Sequence, residues 1–252
     1  MCGRYAASRS PDDLVTEFEV ERDETDGVVL PADYNVAPTK QVYAVVTRGH
    51  SNEPEPHRGL RVVRWGLVPS WAKDPSIGSR MINARLETAA HKPAFRRAFS
   101  RRRCLVPADG YYEWYTPATT SGTDKPRKQP FYIHRPDGRP LALAGLYEFW
   151  RPADAEPDDP AAWLTTMTLL TTSAPDDTGR IHDRAPLMID ADHHAAWLDP
   201  QTRDPNDVLD LLAPAAPGPL EVYPVSTQVN NVRNNGPGLT EPLPPDDVLD
   251  VS

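Results

Sequence analysis

Arg103-Cys104-Leu105-Val106-Pro107-Ala108-Asp109-Gly110-Tyr111-Tyr112-Glu113-Trp114 joins an apolar strand to a carboxylate through a glycine. Residues 104–107 have the apolar, partly β-branched character of a strand. Cys104, lying within it, reads as a buried small hydrophobe rather than a reactive thiol. Gly110-Tyr111-Tyr112 reads as a turn, after which Glu113 can swing into a cleft. Outward from this stretch the same strand signature recurs at 41–47, 60–68, 130–134, 141–146, 163–171 and 220–225. Segment 50–58, with two prolines and no apolar residue, is a turn, and the polar stretch 116–127 is a flexible hairpin loop.

Helical signals are short. Ser10 offers an N-cap, Pro11 an N1 proline, and Asp12 and Asp13 acids at the positive end of the dipole, ahead of an apolar stripe at Leu14, Val15 and Phe18. A helical pattern over 83–99 breaks near Pro93. Asp190 can cap a helix through His194, Trp197 and Leu198, and 206–212 forms another. Segment 20–34 reads as a loop. The 29 prolines among 252 residues argue against long helices. Strands mixed with short helices, without repeat or composition break, define one α+β domain. Beyond 236, prolines and acids indicate a disordered tail over 237–252.

No apolar run approaches the roughly 20 residues a membrane span needs, and Met-Cys-Gly-Arg-Tyr lacks a signal peptide's apolar core. The expectation is a soluble, cytoplasmic protein. Cys2 and Cys104 read as free thiols. Without CxxC, HExxH or other ligand spacing, neither a metal nor a cofactor is expected. Net charge is −9, which opposes non-specific binding to a phosphate backbone. The run Arg96, Arg97, Arg101, Arg102 and Arg103 reads equally as a basic groove or as a solvated helix face.

Cys2 carries the chemistry most particular to this chain. Initiator methionine is removed when the next residue is small, so the mature chain is expected to begin at Cys2. That residue would then hold an α-amine and a thiol on adjacent carbons, with ordinary pKa values of roughly 7.7–8 and 8.5. Such an aminothiol reacts with an aldehyde first as an amine, forming a Schiff base, and then as a thiolate, closing a thiazolidine. On position alone, Cys2 reads as the second residue of a frayed terminus.

Five further blocks accompany it in order: Tyr34-Asn35-Val36-Ala37-Pro38-Thr39, Arg64-Trp65-Gly66-Leu67-Val68-Pro69-Ser70-Trp71, Ile82-Asn83-Ala84-Arg85-Leu86-Glu87-Thr88, the stretch quoted first, and Ile181-His182-Asp183-Arg184-Ala185-Pro186-Leu187-Met188. Together with Met-Cys-Gly-Arg they resemble the SRAP family, the SOS-response-associated peptidases that shield abasic sites in DNA. The resemblance covers 1–236. It implies a mostly antiparallel sheet curled into a barrel-like core with short flanking helices.

The resemblance also implies roles. Cys2 becomes the nucleophile, Glu113 the base for its amine, His182 the proton shuttle that opens the closed sugar, and Asn83 the amide that positions sugar and terminus. Thr171 lines the same pocket. Arg4, Arg85 and Arg184 lie along the DNA backbone, where guanidinium forks suit phosphate. Asn35, Pro38, Trp65 and Trp71 lie against the strand. Read singly, Glu113 is a surface acid on a hairpin and Thr171 a strand-end polar residue, while His182 is equally a loop histidine bonded to Asp183 and Asn83 equally a helix N-cap. Trp65, inside a strand, reads as core, and Trp71 as the base contact.

Three functions fit. The first is covalent capture of abasic sites in single-stranded DNA by a monomer, nucleoid-associated when bound, with a weak lyase activity as a side path. The second is a cysteine peptidase, including self-removal of Met1. The third is a non-catalytic single-strand-binding module, against which the acidic charge weighs.

Overall fold

The computed structural model describes residues 2–49, 55–116, 128–156, 159–212 and 218–248. The strands are β1 (Tyr5–Ala7), β2 (Arg22–Asp23), β3 (Asp33–Val36), β4 (Gln41–Arg48), β5 (His57–Trp65), β6 (Asn83–Arg85), β7 (Arg103–Ala108), β8 (Gly110–Tyr115), β9 (Gln129–His134), β10 (Leu141–Trp150), β11 (Leu164–Ser173), β12 (Arg184–Pro186) and β13 (Glu221–Pro224). The helices are α1 (Pro11–Glu17), α2 (Leu86–Ala89), α3 (Arg96–Arg101), α4 (Asp176–Gly179), α5 (His194–Leu198) and α6 (Pro205–Asp210). The chain is therefore α+β and sheet-dominated, as its proline content and strand spacing imply.

One sheet follows the order β12-β11-β10-β7-β4-β5-β2, and β11 also pairs with β5. The pairing thus runs round a ring of five strands. The β11–β5 link is parallel and holds two residue pairs, Thr166 with Arg64 and Met167 with Trp65, so the ring is barrel-like rather than evenly closed. Inside it, Trp65, Cys104, Met167, Leu169 and Tyr147 pack with Cys2 and Tyr5. Outside it, Leu14 and Phe18 of the α1 segment, Phe99 of α3 and Trp197 of α5 cover the other face of the same strands. A second sheet, β13-β9-β8-β1-β3, lies against the ring.

Local sequence explains the helix starts. Ser10 Oγ accepts from the Asp13 amide at 3.2 Å while Asp13 reaches back to the Ser10 amide, a complete capping box ahead of Pro11. In α3, Arg96, Arg97 and Arg101 are exposed, which fits a solvated face and a basic groove alike, but Arg103 is buried and donates to three carbonyls, those of Phe99, Trp197 and Asp199.

Three expectations are corrected. Residues 83–85 are a strand, not the start of a helix, because Asn83, Ala84 and Arg85 extend β11 in parallel, opposite Leu169, Leu170 and Thr171. Gly110 begins a strand rather than a turn. A side chain there would lie 2.5 Å from the Tyr132 ring on β9, so the glycine answers close strand packing, and the bend falls at Asp109. The segment after 236 is ordered to 248: Leu239 is buried with Tyr112, Tyr132 and Val225, and Leu243 donates to the Pro224 carbonyl at 2.9 Å. Leucines among the prolines supply the apolar anchor that an average over acids and prolines hides. The expected hairpin loop at 116–127 falls, from 117 on, outside the described residues, as do 50–54 of the expected turn.

Candidate active site

Cys2 is fully buried, the reverse of a frayed terminus. Its carbonyl accepts from Asn83 Nδ2 at 2.7 Å. Asn83 is aimed by β6, which β11 holds in register. Asn83 Oδ1 is itself buried without a partner among the described residues, leaving one acceptor for an incoming donor. The Cys2 thiol is pushed well above its ordinary pKa, first by burial and then by the Glu113 carboxylate beside it. It is held as a thiol at neutral pH.

Glu113 projects from β8 and is nearly fully buried. Burial pushes its pKa up to about 7, with the positive charge of the chain terminus pulling the other way. A carboxyl near 7 both takes and returns a proton at neutral pH. His182 lies below its ordinary pKa, chiefly through burial and then the same positive charge. Its Nδ1 accepts from the Arg184 amide at 3.0 Å, which puts the proton of the neutral ring on Nε2. Asp183 Oδ1 lies 2.9 Å from the same Nδ1, a contact that becomes an ion pair when the ring takes a second proton. Glu113 and His182 share a cleft of about 780 Å³ with Gly3, Arg4, Lys128 and Arg180. Three cations thus rim a pocket on a chain of net charge −9.

The remaining residues divide. Arg85 is exposed on β6 directly opposite Thr171, at the same end of β11 as Asn83. Thr171 is fully buried and takes the Arg184 guanidinium on its carbonyl at 2.5 Å and its hydroxyl at 3.3 Å. Arg184 also forks onto Glu87 at 2.6 and 3.0 Å, so a phosphate would have to displace that carboxylate. Trp71 is 61% exposed, and Pro38 is partly exposed.

Two expected DNA contacts are corrected. Trp65 is fully buried, tilts against Tyr5 at 5.2 Å and donates to the Ile82 carbonyl. Asn35 is fully buried and saturated: its Oδ1 accepts from Arg4 at 2.6 Å, and its Nδ2 donates to the carbonyls of Val229, Asn231 and Asn234. Arg4 also donates to Val229 and lies 5.7 Å from the Trp114 ring, so it fastens the wall of the cleft as well as lining it. Lys128, Arg180 and Asn230 also line the cleft, and nothing in their sequence neighbourhoods separates them from ordinary surface residues.

Among the described residues there is no group of histidine, cysteine and acid side chains arranged to hold a metal, and no helix long and apolar enough to cross a membrane.

A sheet ring with a buried second-residue cysteine, an asparagine on its carbonyl and a glutamate beside it agrees with the sequence relationships. The family model described as SOS response associated peptidase (SRAP) matches residues 1–232. The chain belongs to the SRAP family. It is 36% identical over 241 residues to abasic site processing protein YoqW of Bacillus subtilis, spanning 96% of this chain and 99% of that one. It is 31% identical over 255 residues to abasic site processing protein YedK of Escherichia coli, spanning 96% and 100%. Similarity extends to abasic site processing protein HMCES of Xenopus tropicalis, 30% identical, spanning 94% of this chain and 77% of that one. A solved structure from Bacteroides thetaiotaomicron shares the fold with a TM-score of 0.77 at 22% identity, covering 96% of this chain and all of that one.

Proposed function

We propose that this protein processes abasic sites by capturing them covalently in single-stranded DNA through Cys2, once Met1 is removed. The observation that supports the reading is the burial of Cys2 against Asn83 and Glu113, beside a cation-rimmed cleft that its neighbour Gly3 and Glu113 line. In a family whose curated relatives are abasic site processing proteins, the matching electrophile is the open-chain sugar aldehyde.

His182 and Glu113 move the protons that open the sugar ring. The Cys2 amine, its proton taken by Glu113, adds to the aldehyde carbon. The carbinolamine loses one water, with a protonated group as acid, to give the imine. The Cys2 sulfur then adds to the imine carbon and its proton passes to the nitrogen, closing a thiazolidine. Asn83 fixes the cysteine backbone throughout. A Schiff base can instead lose the neighbouring phosphate by β-elimination, the lyase side path, and closure by the thiol competes with it.

A thiolate peptidase fits less well, because such a nucleophile needs a lowered thiol pKa and this one is raised. A purely electrostatic binding module fits less well because Arg184 is already committed to Glu87.

The test is a single-stranded oligonucleotide carrying one abasic site, run on a denaturing gel without reductant, with intact mass taken on the shifted band. The expected product is a heat-stable adduct lighter than its parts by one water, absent with Cys2→Ala and with a chain retaining Met1. No adduct from a protein shown to begin at Cys2 would overturn the reading.

A further inference from the structure

A second cleft, of about 890 Å³, is larger than the one shared by Glu113 and His182 and takes no part in the capture steps. Its walls include Arg61, Arg64, Arg97 and Arg102, with Phe149 and Trp163 as aromatic surfaces. Three carboxylates also line it. Glu24 is held by Arg61 at 2.9 Å, by His57 at 2.6 Å and by Arg48 at 3.6 Å, and Glu148 is held by Arg102. Asp26 is exposed at the edge. The side chains of Arg64 and Arg97 make no hydrogen bond or ion pair among the described residues. Four guanidinia thus share the cleft with three carboxylates, on a chain whose net charge is −9. Trp163 is 47% exposed, a large apolar surface left open to solvent in a protein that buries most of its aromatics.

The cleft is aligned with the capture site by a single strand. Leu164 and Thr165 of β11 line it, while Leu169 and Thr171 of the same strand hold Asn83 and Arg85 in register. Six residues of β-strand span about 20 Å, a distance that at about 3.4 Å per nucleotide corresponds to roughly six stacked nucleotides or fewer extended ones. After β5 the chain makes an excursion that carries exposed Trp71. Ser70 of that excursion is on the second cleft's wall, and Ala72 is tied to the end of β10 by the Trp150 indole at 2.7 Å. Arg151 lies over the Trp163 ring at 5.4 Å and Arg102 over the Phe149 ring at 5.4 Å, so a base reaching half-exposed Trp163 would stack beside or displace a guanidinium. Guanidinia beside solvent-exposed aromatics are the pairing that binds single strands without regard to sequence.

We propose that this cleft is a second nucleic-acid subsite, in which Arg64 and Arg97 take backbone phosphates, and Trp163 a base, of the strand flanking the lesion. The assignment rests on the capture reading for what sits at Cys2. The ligand chemistry, phosphate with a nucleobase, belongs equally to a free nucleotide, and the test separates the two.

Anisotropy of labelled oligothymidylates of increasing length, without any abasic site, reads the subsite directly. For the unaltered protein, affinity is expected to rise with length until both clefts are spanned. The double variant Arg64→Ala/Arg97→Ala is expected to lose that gain, and its plot of log Kd against log salt to flatten by about 1.4, two phosphates at about 0.7 each. Trp163→Ala is expected to weaken the longer strands by about tenfold. Adduct formation on a trimmed oligonucleotide with one nucleotide on each side of the lesion is expected to be unchanged in all three proteins. A double variant with unaltered thermal unfolding that keeps both the length gain and the salt slope would overturn the subsite. So would a mononucleotide that binds the cleft as tightly as the longest strand. Failure of the capture reading looks different: no adduct in any protein, with the length gain and its loss intact.

Discussion

Burial opposes ionisation of Glu113, and the consequence for stability has a definite sign. Its folded pKa of about 7 lies above the ordinary 4.5, so the folded state holds the proton more tightly than the unfolded chain. The stability tied to that proton is fully present below about pH 4.5 and is lost as pH rises to about 7, at about 1.4 kcal/mol for each pH unit crossed between those two values. Glu113→Gln cannot ionise and escapes the loss. Its melting temperature is expected to exceed that of the unaltered protein by a few degrees at pH 8, and the gap to close towards pH 4.5. Its capture rate is expected to fall at least about a hundredfold, the usual scale for a lost general base. Differential scanning calorimetry across pH, with single-turnover gels, measures both. A variant less stable than the parent at pH 8 would show that Glu113 is stabilising as a carboxylate. At this scale the sequence is legible through the resemblance, whose blocks contain Cys2, Asn83, Glu113 and His182. The burial of Trp65 is legible from its place inside a strand, but that of Asn35 is not, because its exposure is fixed by partners nearly two hundred residues away, such as Val229.

Short elements at the rim matter as much as the ring strands. Asn35, at the end of β3, binds three carbonyls of the 229–234 segment and the Arg4 guanidinium. With net values near 1 kcal/mol for each buried hydrogen bond, Asn35→Ala is expected to cost roughly 3 kcal/mol or more. Hydrogen exchange is expected to quicken first in residues 227–235 and at Arg4, with β7 and β10 unaffected. Uniform loss of protection would place the residue in the global core instead. The long strands are readable from their β-branched and apolar runs. The three-residue β6 is not, since Leu86, Ala89 and Ala90 behind it carry a helical signal and only the β11 edge makes residues 83–85 extended. The β8 strand is hidden by a glycine that serves packing, where a sequence reading expects a turn.

At the scale of the molecule, charge and fold act against each other in DNA encounter. The net charge repels a phosphate backbone, while Arg4, Lys128 and Arg180 attract it locally, so the encounter is expected to be salt-sensitive and the adduct insensitive. Raising salt from roughly 50 to 300 mM is expected to slow adduct formation at limiting protein at least several-fold, yet leave an adduct formed beforehand intact on transfer. An adduct that dissociates with salt would mark the complex as non-covalent. Ring closure is the least legible feature, since it depends on two residue pairs joining β5 to β11 about a hundred positions apart.

Because Cys2 is fully buried with its carbonyl held by Asn83, and Gly3 beside it lines the cleft shared by Glu113 and His182, a polypeptide placed ahead of Cys2 is expected to leave through that cleft. An affinity tag fused at that end would thread the same passage the lesion must enter. The tagged protein would fold normally and be stoppered by its own leader, so a negative result with such a fusion says nothing about the chemistry.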